Sequence, residues 1–393
     1  MKDNIANIKD CFGCGVCASS CPKDIITISL NRDGFYEPSI IDLEKCIGCG
    51  VCLDVCSFSH KKKAVDNLPL ASYASWSNDA QVRRKCSSGG IGFEIAKLFI
   101  EKGYKVVACR YNVEKERAEH YIASTIEELV QSTGSKYIQS YTFDAFKSID
   151  RKNKYLVIGS PCQIDSFRRY IKRFKCEENF VLMDFFCHCV PSMFAWRAYT
   201  KMQEKKVGKI TYASWRNKFD YGWHDSWIMG IDGDRTSKPV DWHDSYNLLI
   251  REKKSFIQSR MSQGDLFYKL FLGDLSLGTQ CQLDCKFKYD QSSADIRIGD
   301  LWGKTYKDDE KGVSALIVFT DIGENVVSGL KGATLVEHPF EIVAEGQMKC
   351  NSRAKEMKPL VMFMLKKQIP LDGMAFKMVF FAQRVISKLK SLV

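Results

Sequence analysis

The chain has 393 residues, 45% of them hydrophobic, enough for a small module beside one large core. Its net charge of +11 comes from 58 basic residues scattered among 47 acidic ones with no nucleic-acid-binding motif, so acidic partners are expected and nucleic acid is not. No run of 18 apolar residues exists to span a membrane, and 17 cysteines behind a start (MKDNIANIKD) without an apolar signal segment imply a reducing compartment, the cytoplasm.

Near the start, two cysteine strings share the spacing C-x2-C-x2-C-x3-C: Cys11, Cys14, Cys17, Cys21 and Cys46, Cys49, Cys52, Cys56. Three thiolates on each tight loop cap three irons of one 4Fe-4S cluster, and the fourth crosses to the other cluster. Cys11, Cys14, Cys17 and Cys56 then hold one cluster, while Cys46, Cys49, Cys52 and Cys21 hold the second. Gly13, Gly15, Gly48 and Gly50 sit at matching places, where the backbone bends tightly and brings N–H groups near cluster sulfur. Zinc also takes CxxC pairs, but it wants four ligands from paired knuckles, which evenly staged strings fit poorly. Pro22 closes the first string, and Ser57 stands in its place in the second.

Residues 1–60 therefore read as a ferredoxin-type domain, two hairpin-and-helix halves over about Ile5 to Ser59. A polar, basic, proline-ended linker follows over 61–71, from His60-Lys61-Lys62-Lys63 toward Pro69. Next, Ser87-Ser88-Gly89-Gly90 opens an apolar-periodic helix (Ile91 to Ile100) that Gly103 ends, and Lys105 to Arg110 reads as a buried strand. Tyr155 to Gly159 reads as a strand, Ser160 to Gln163 as a turn, Ile164 to Phe174 as a helix, and Phe180 to Phe186 as a further strand. The alternation gives an α+β or α/β core with a largely parallel sheet, more antiparallel in the aromatic-rich stretch Ile210 to Trp242. In the last stretch, Met374 to Val393, one helical face carries Met378, Ala382, Val385, Ile386 and Leu389 and another Lys377, Arg384 and Lys388. Such a helix packs on its own domain, lies on a membrane surface or docks a partner.

Four turns of the core carry chemistry-bearing residues. Ser87, Ser88, Gly89 and Gly90 offer hydroxyls, backbone N–H groups and a helix dipole to a phosphate; a plain serine N-cap is the alternative. Thr133-Gly134-Ser135-Lys136-Tyr137, with Gln139 and Ser140, supplies donors for a ribityl chain or a pyrophosphate, or is an ordinary polar loop. Gly159-Ser160-Pro161-Cys162-Gln163 and Cys187-His188-Cys189 put thiols at carboxyl ends of strands, where open α/β sheets bind ligands. With Cys281 and Cys285, Cys162 and Cys187 make four thiolates for a third 4Fe-4S cluster, although buried free cysteines are common. Spacing alone does not choose between Cys187 and Cys189, which share a face if the strand continues.

At these residues the chain resembles the coenzyme F420 hydrogenase/dehydrogenase beta subunit family, in the form with an N-terminal two-cluster ferredoxin. Six stretches carry the resemblance in family order: Ser87 to Gly90, Thr133 to Ser140, Gly159 to Gln163, Cys187 to Ser192, WRNKFDYGW (Trp215 to Trp223), and Cys281 to Gly303. They divide the core into an N-terminal region (72–155), a C-terminal region (156–345) and a helical tail (346–393). The resemblance implies FAD beside a core 4Fe-4S cluster, with electrons passing between clusters, flavin and a soluble acceptor, coenzyme F420 among the candidates. It favours Cys187 over Cys189, because the family reads Cys-His-Gly there. Cys189 in place of glycine, Ser160 in place of threonine and C-x3-C at Cys281–Cys285 in place of C-x2-C are departures. Relatives with the WRNKFDYGW form often accompany polysaccharide-building enzymes.

The expected protein is an iron-sulfur flavoprotein oxidoreductase with a small-molecule substrate and a ferredoxin or other redox partner. Ser87, Ser88, Gly89, Gly90, Ser135, Lys136, Tyr137 and Gln139 are the candidates for holding the flavin, and His188 for donating a proton. The alternative is a non-catalytic electron-transfer subunit serving a partner enzyme.

Overall fold

A computed structural model describes residues 3–8, 11–218, 220–236 and 255–391. Phe219 and the part of the 210–242 stretch beyond Thr236 lie outside them.

In the N-terminal module, one antiparallel hairpin, β1 (Ile26–Leu30) and β2 (Tyr36–Ile40), lies between two short helices, Val16–Ser20 and Val51–Asp54. Two hairpin-and-helix halves were expected, but among the described residues there is one hairpin. The chain after Cys56 runs into the 61–70 connection, which is pinned to the core: Ala64 N–H donates to Asp165, and Arg169 donates to the Lys62 carbonyl.

The core is a nine-stranded mixed sheet built from β3 (Ala71–Ser77), β4 (Lys105–Asn112), β5 (Arg117–Ala123), β6 (Ser140–Tyr141), β7 (Tyr155–Ile158), β8 (Phe180–Phe185), and, after the three strands of a smaller sheet, β12 (Ile296–Asp300), β13 (Ser314–Val318) and β14 (Ala333–Glu337). The smaller antiparallel sheet holds β9 (Ile210–Ser214), β10 (Ile228–Gly233) and β11 (Ile257–Arg260), in line with the antiparallel reading of that stretch. The large sheet runs β14-β3-β13-β12-β8-β7-β4-β5-β6. Its four central strands, β12, β8, β7 and β4, are mutually parallel, whereas β13, β3 and β14 pair antiparallel to their neighbours, and β5 pairs antiparallel to β4 and parallel to β6. Parallel strands are covered on both faces, which is why β7 and β8 are nearly continuous apolar runs with almost every side chain buried.

Local signals placed most elements. The helix Ile91–Glu101 buries Ile91, Ile95, Ala96 and Phe99, and Gly103 follows in left-handed conformation. Its N-cap is Gly90 at φ 90°, not a serine. Ser160–Gln163, read as a turn, is the start of the helix Pro161–Arg173: Ser160 is the N-cap, Pro161 takes the first position, and the Gln163 side chain bonds back to Ser160 N–H. Cys162 is therefore held on a helix N-terminus rather than on a free loop.

Candidate metal centres and flavin site

Each cysteine string turns into its helix through a left-handed glycine, Gly15 at φ 76° and Gly50 at φ 71°, with Gly13 and Gly48 left-handed as well. A Cβ on Gly13 would meet the Tyr36 carbonyl oxygen at 2.1 Å, so the loop has room for glycine only. The thiols fall into two groups that interleave the strings. Cys11, Cys14, Cys17 and Cys56 line a cavity of about 320 Å³ with Gly13, Gly15 and Ser166. Cys21, Cys46, Cys49 and Cys52 line another of about 400 Å³ with Gly48 and Gly50. Three thiols from one string and the fourth from the other is the grouping that the spacing demands for two cubanes. Burial pushes the Cys14 thiol up to about 11 and the Cys11 thiol to about 12, so the bare chain holds protons there that cluster assembly must displace.

The dispersed cysteines gather at the carboxyl ends of the central strands. Cys162 follows β7, Cys187 follows β8, and Cys281 and Cys285 come from the short helix Thr279–Leu283 and the loop after it. Cys187 and Cys285 are both electrostatic neighbours of Cys162, and Cys281 is a neighbour of Cys162, Cys187 and Cys189. Because β8 ends at Phe185, Cys187 and Cys189 lie in irregular backbone, where the two-residue alternation of a strand no longer governs them. Cys189 turns toward Ser352, 3.6 Å away, and the Cys281 carbonyl, and Cys187 has both Cys189 and Cys285 as electrostatic neighbours. Five thiols thus converge, one more than a cubane requires. Burial pushes Cys187 up to about 12.

Charged side chains hold this assembly by its backbone. Lys288 donates to the carbonyls of Cys187 and His188 at 2.7 and 2.6 Å. Arg297, fully buried, forms a two-pronged pair with Asp184 at 2.7 Å and donates to the Tyr289 and Gln291 carbonyls, tying the Cys285 loop to β8. Two residues before Lys288, Lys286 donates to the carbonyls of Ser57 and His60 of the N-terminal module and of Lys62 just after it. The sequence reading passed over these cations, although their alternation in Cys285-Lys286-Phe287-Lys288 was a usable signal.

The two thiol groups nearest the core are linked through Ser166, one turn along the helix from Cys162. Its Oγ lies 3.2 Å from the Cys14 thiol and accepts from the Ser57 N–H at 3.0 Å. A proline at 57 would lack that N–H, which gives the departure from the first string's Cys-Pro a physical role. Cys14 is also an electrostatic neighbour of Cys162. The order in space is therefore second-string group, first-string group, dispersed group.

The flavin candidates divide. Ser135 N–H donates to Ser87 Oγ at 2.8 Å, and Arg216 donates to the Ser87 carbonyl and the Tyr137 hydroxyl, so Ser87, Ser135 and Tyr137 are one group. Ser88 and Gly89 turn instead to β13: Ser88 Oγ donates to the Val313 carbonyl, and Gly89 N–H to Ser314 Oγ. A Cβ on Gly89 would sit 2.4 Å from the Ser75 carbonyl oxygen, so this glycine serves close packing. Gln139 lies elsewhere: it accepts from Tyr36 N–H at 2.7 Å and donates to the Phe12 carbonyl, joining the N-terminal module to the core. His188 faces Asp274 at 3.2 Å and packs edge-on to Phe271, which also stacks on Tyr137.

Around Ser87 the structure adds residues the sequence reading did not single out. Arg216 is buried between Trp227 and Trp302, 4.7 and 5.1 Å from their ring centres, and pairs with Asp300. Trp223 stacks on Trp302 at 4.8 Å and donates to Asp300. Burial lowers Lys136 and Lys218 to about 8, and their hydrogen bonds go to carbonyls rather than carboxylates. Thr133 Oγ1 is buried without a hydrogen-bond partner. Each ammonium donates its three N–H groups to backbone carbonyls, so the two lysines bring positive charge rather than free donors to this end of the core.

The chain matches models of known protein families. Residues 10–59 match the 4Fe-4S dicluster domain. Residues 72–147 match the coenzyme F420 hydrogenase/dehydrogenase beta subunit N-terminus, and residues 152–340 its C-terminus, together about two thirds of the chain. The chain belongs to the coenzyme F420 hydrogenase/dehydrogenase beta subunit family. It is an iron-sulfur redox protein of that family, with the dicluster domain ahead of the beta-subunit core. Among solved structures it is similar to a chain of the F420-reducing [NiFe] hydrogenase complex from Methanosarcina barkeri, at 16% identity and a TM-score of 0.44, covering 79% of this chain and 91% of that one. No curated protein matches it.

Proposed function

We propose that this family member is an iron-sulfur flavoprotein oxidoreductase that exchanges electrons between three 4Fe-4S clusters, an FAD and a small-molecule acceptor. The observation that carries the reading is the convergence of Cys162, Cys187, Cys281 and Cys285 beside Cys14, which continues the line of thiol groups begun by the two strings. When bound, the clusters carry single electrons and the flavin pairs them for two-electron chemistry. Cys21, Cys46, Cys49 and Cys52 hold the outer cluster; Cys11, Cys14, Cys17 and Cys56 hold the inner one. Lys136 and Lys218 balance the flavin's phosphates, Ser87, Ser135 and Tyr137 fix its polar groups, and Arg216 with Trp227 and Trp302 forms a shelf for its flat parts. Asp274 orients His188 for proton delivery. The acceptor is a soluble two-electron carrier such as coenzyme F420 or an intermediate of polysaccharide assembly, and the setting is the cytoplasm.

Iron, acid-labile sulfide and flavin are to be measured per chain after strictly anaerobic purification. About 12 irons and one flavin are expected from three cubanes. About eight irons without flavin would overturn the proposal in favour of an electron-transfer subunit serving a partner enzyme, a reading that family membership as a beta subunit also supports.

A further inference from the structure

The C-terminal helix Met374–Lys390 buries Phe376, Val379 and Gln383 against the core and turns its opposite face outward. That face carries Met374, Met378, Phe381, Val385 and Leu389, each 41–69% exposed, at positions i, i+4, i+7, i+11 and i+15. This is the spacing of a single continuous stripe, ~25 Å long on a 17-residue helix. Lys377, Arg384 and Lys388 project along one flank of the stripe, and the helix contains no acidic residue. Ordinary surfaces scatter apolar residues singly, so a row of five marks a surface that is covered in use.

We propose that this helix docks the protein on an anionic lipid bilayer, with the stripe in the acyl boundary and Lys377, Arg384 and Lys388 on the headgroups. Charge selects this occupant. A second copy of the chain would bring the same acid-free, basic helix against its twin across a two-fold contact, placing like charges together. An anionic headgroup layer offers counter-charges along the whole flank and an apolar layer below it. Among the described residues no helix is long and apolar enough to cross a membrane, which suits an interfacial position.

Flotation of the full-length protein is to be compared on vesicles of equal parts phosphatidylglycerol and phosphatidylcholine and on phosphatidylcholine alone. Binding is expected on the anionic vesicles, weakening with salt. It should drop at least about tenfold in Phe381→Asp, which removes the largest inserted side chain. Each of Lys377→Gln, Arg384→Gln and Lys388→Gln should cost about fivefold. Phe381 is largely exposed, so Phe381→Asp should leave melting temperature and cluster absorbance unchanged, and those serve as the folding control. Absence of flotation, equal flotation of Phe381→Asp, or a dimer that Phe381→Asp dissolves without any vesicle binding would each overturn the proposal.

Discussion

The N-terminal module and the core bring thiols together in opposite ways. In the module, four cysteines within eleven residues are staged by left-handed glycines, so each loop of three thiols is shaped by its own backbone. In the core, four cysteines from three separate segments between Cys162 and Cys285 meet because β7 and β8 end side by side and because Arg297 and Lys288 hold the Cys285 loop to the end of β8. A thiol group of the first kind is robust to remote change, while one of the second depends on the buried ionic frame that positions it.

The largest expected effect follows from that dependence. Arg297→Met would leave Asp184 buried without its counter-ion and release the Tyr289 and Gln291 carbonyls, costing about 3–5 kcal/mol of stability. Denaturant unfolding should register the loss, and iron analysis of the folded fraction should find the string clusters kept and only the core cluster missing. Equal loss of iron from all three groups would erase the contrast between the two regions.

A pH titration sharpens the comparison at the proposed flavin site. Burial holds Lys136 and Lys218 near 8, below the ordinary lysine value of 10.5. Since the folded value is the lower one, the charged forms cost stability at neutral pH, and the ligand-free chain gains stability as pH rises from about 8 toward 10.5. A bound phosphate favours the ammonium forms, so flavin affinity should fall as pH rises above about 8, by up to about tenfold per pH unit for each lysine. Fluorescence titration between neutral and alkaline pH measures this. An affinity that is flat in pH, or unchanged in Lys136→Met, would remove the lysines from the site.

The smallest effect concerns the joint between the regions. Ser166→Ala removes the acceptor of the Ser57 N–H and the hydroxyl beside the Cys14 thiol, a loss of about 1–3 kcal/mol for a buried group left unpaired. Thermal unfolding should fall accordingly with iron content unchanged. Loss of the inner cluster in that variant would mean that the first-string loop is not self-sufficient.

By itself the sequence determined what short-range chemistry fixes: the two strings with their crossed fourth ligands, the turn glycines, the buried parallel strands and the helix before Gly103. It also carried the dispersed cysteines, but without their mutual positions. Sequence spacing has no hold on groups separated by two or three elements, so tertiary structure alone brought Cys162, Cys187, Cys281 and Cys285 together and added Cys189 as a fifth thiol. Tertiary packing likewise sent Gln139 to the joint between modules, turned Ser88 and Gly89 toward β13, and buried Arg216 between tryptophans. A buried polar side chain takes whichever partner the packed neighbours offer, and those neighbours are chosen by sheet order rather than by the chain around it.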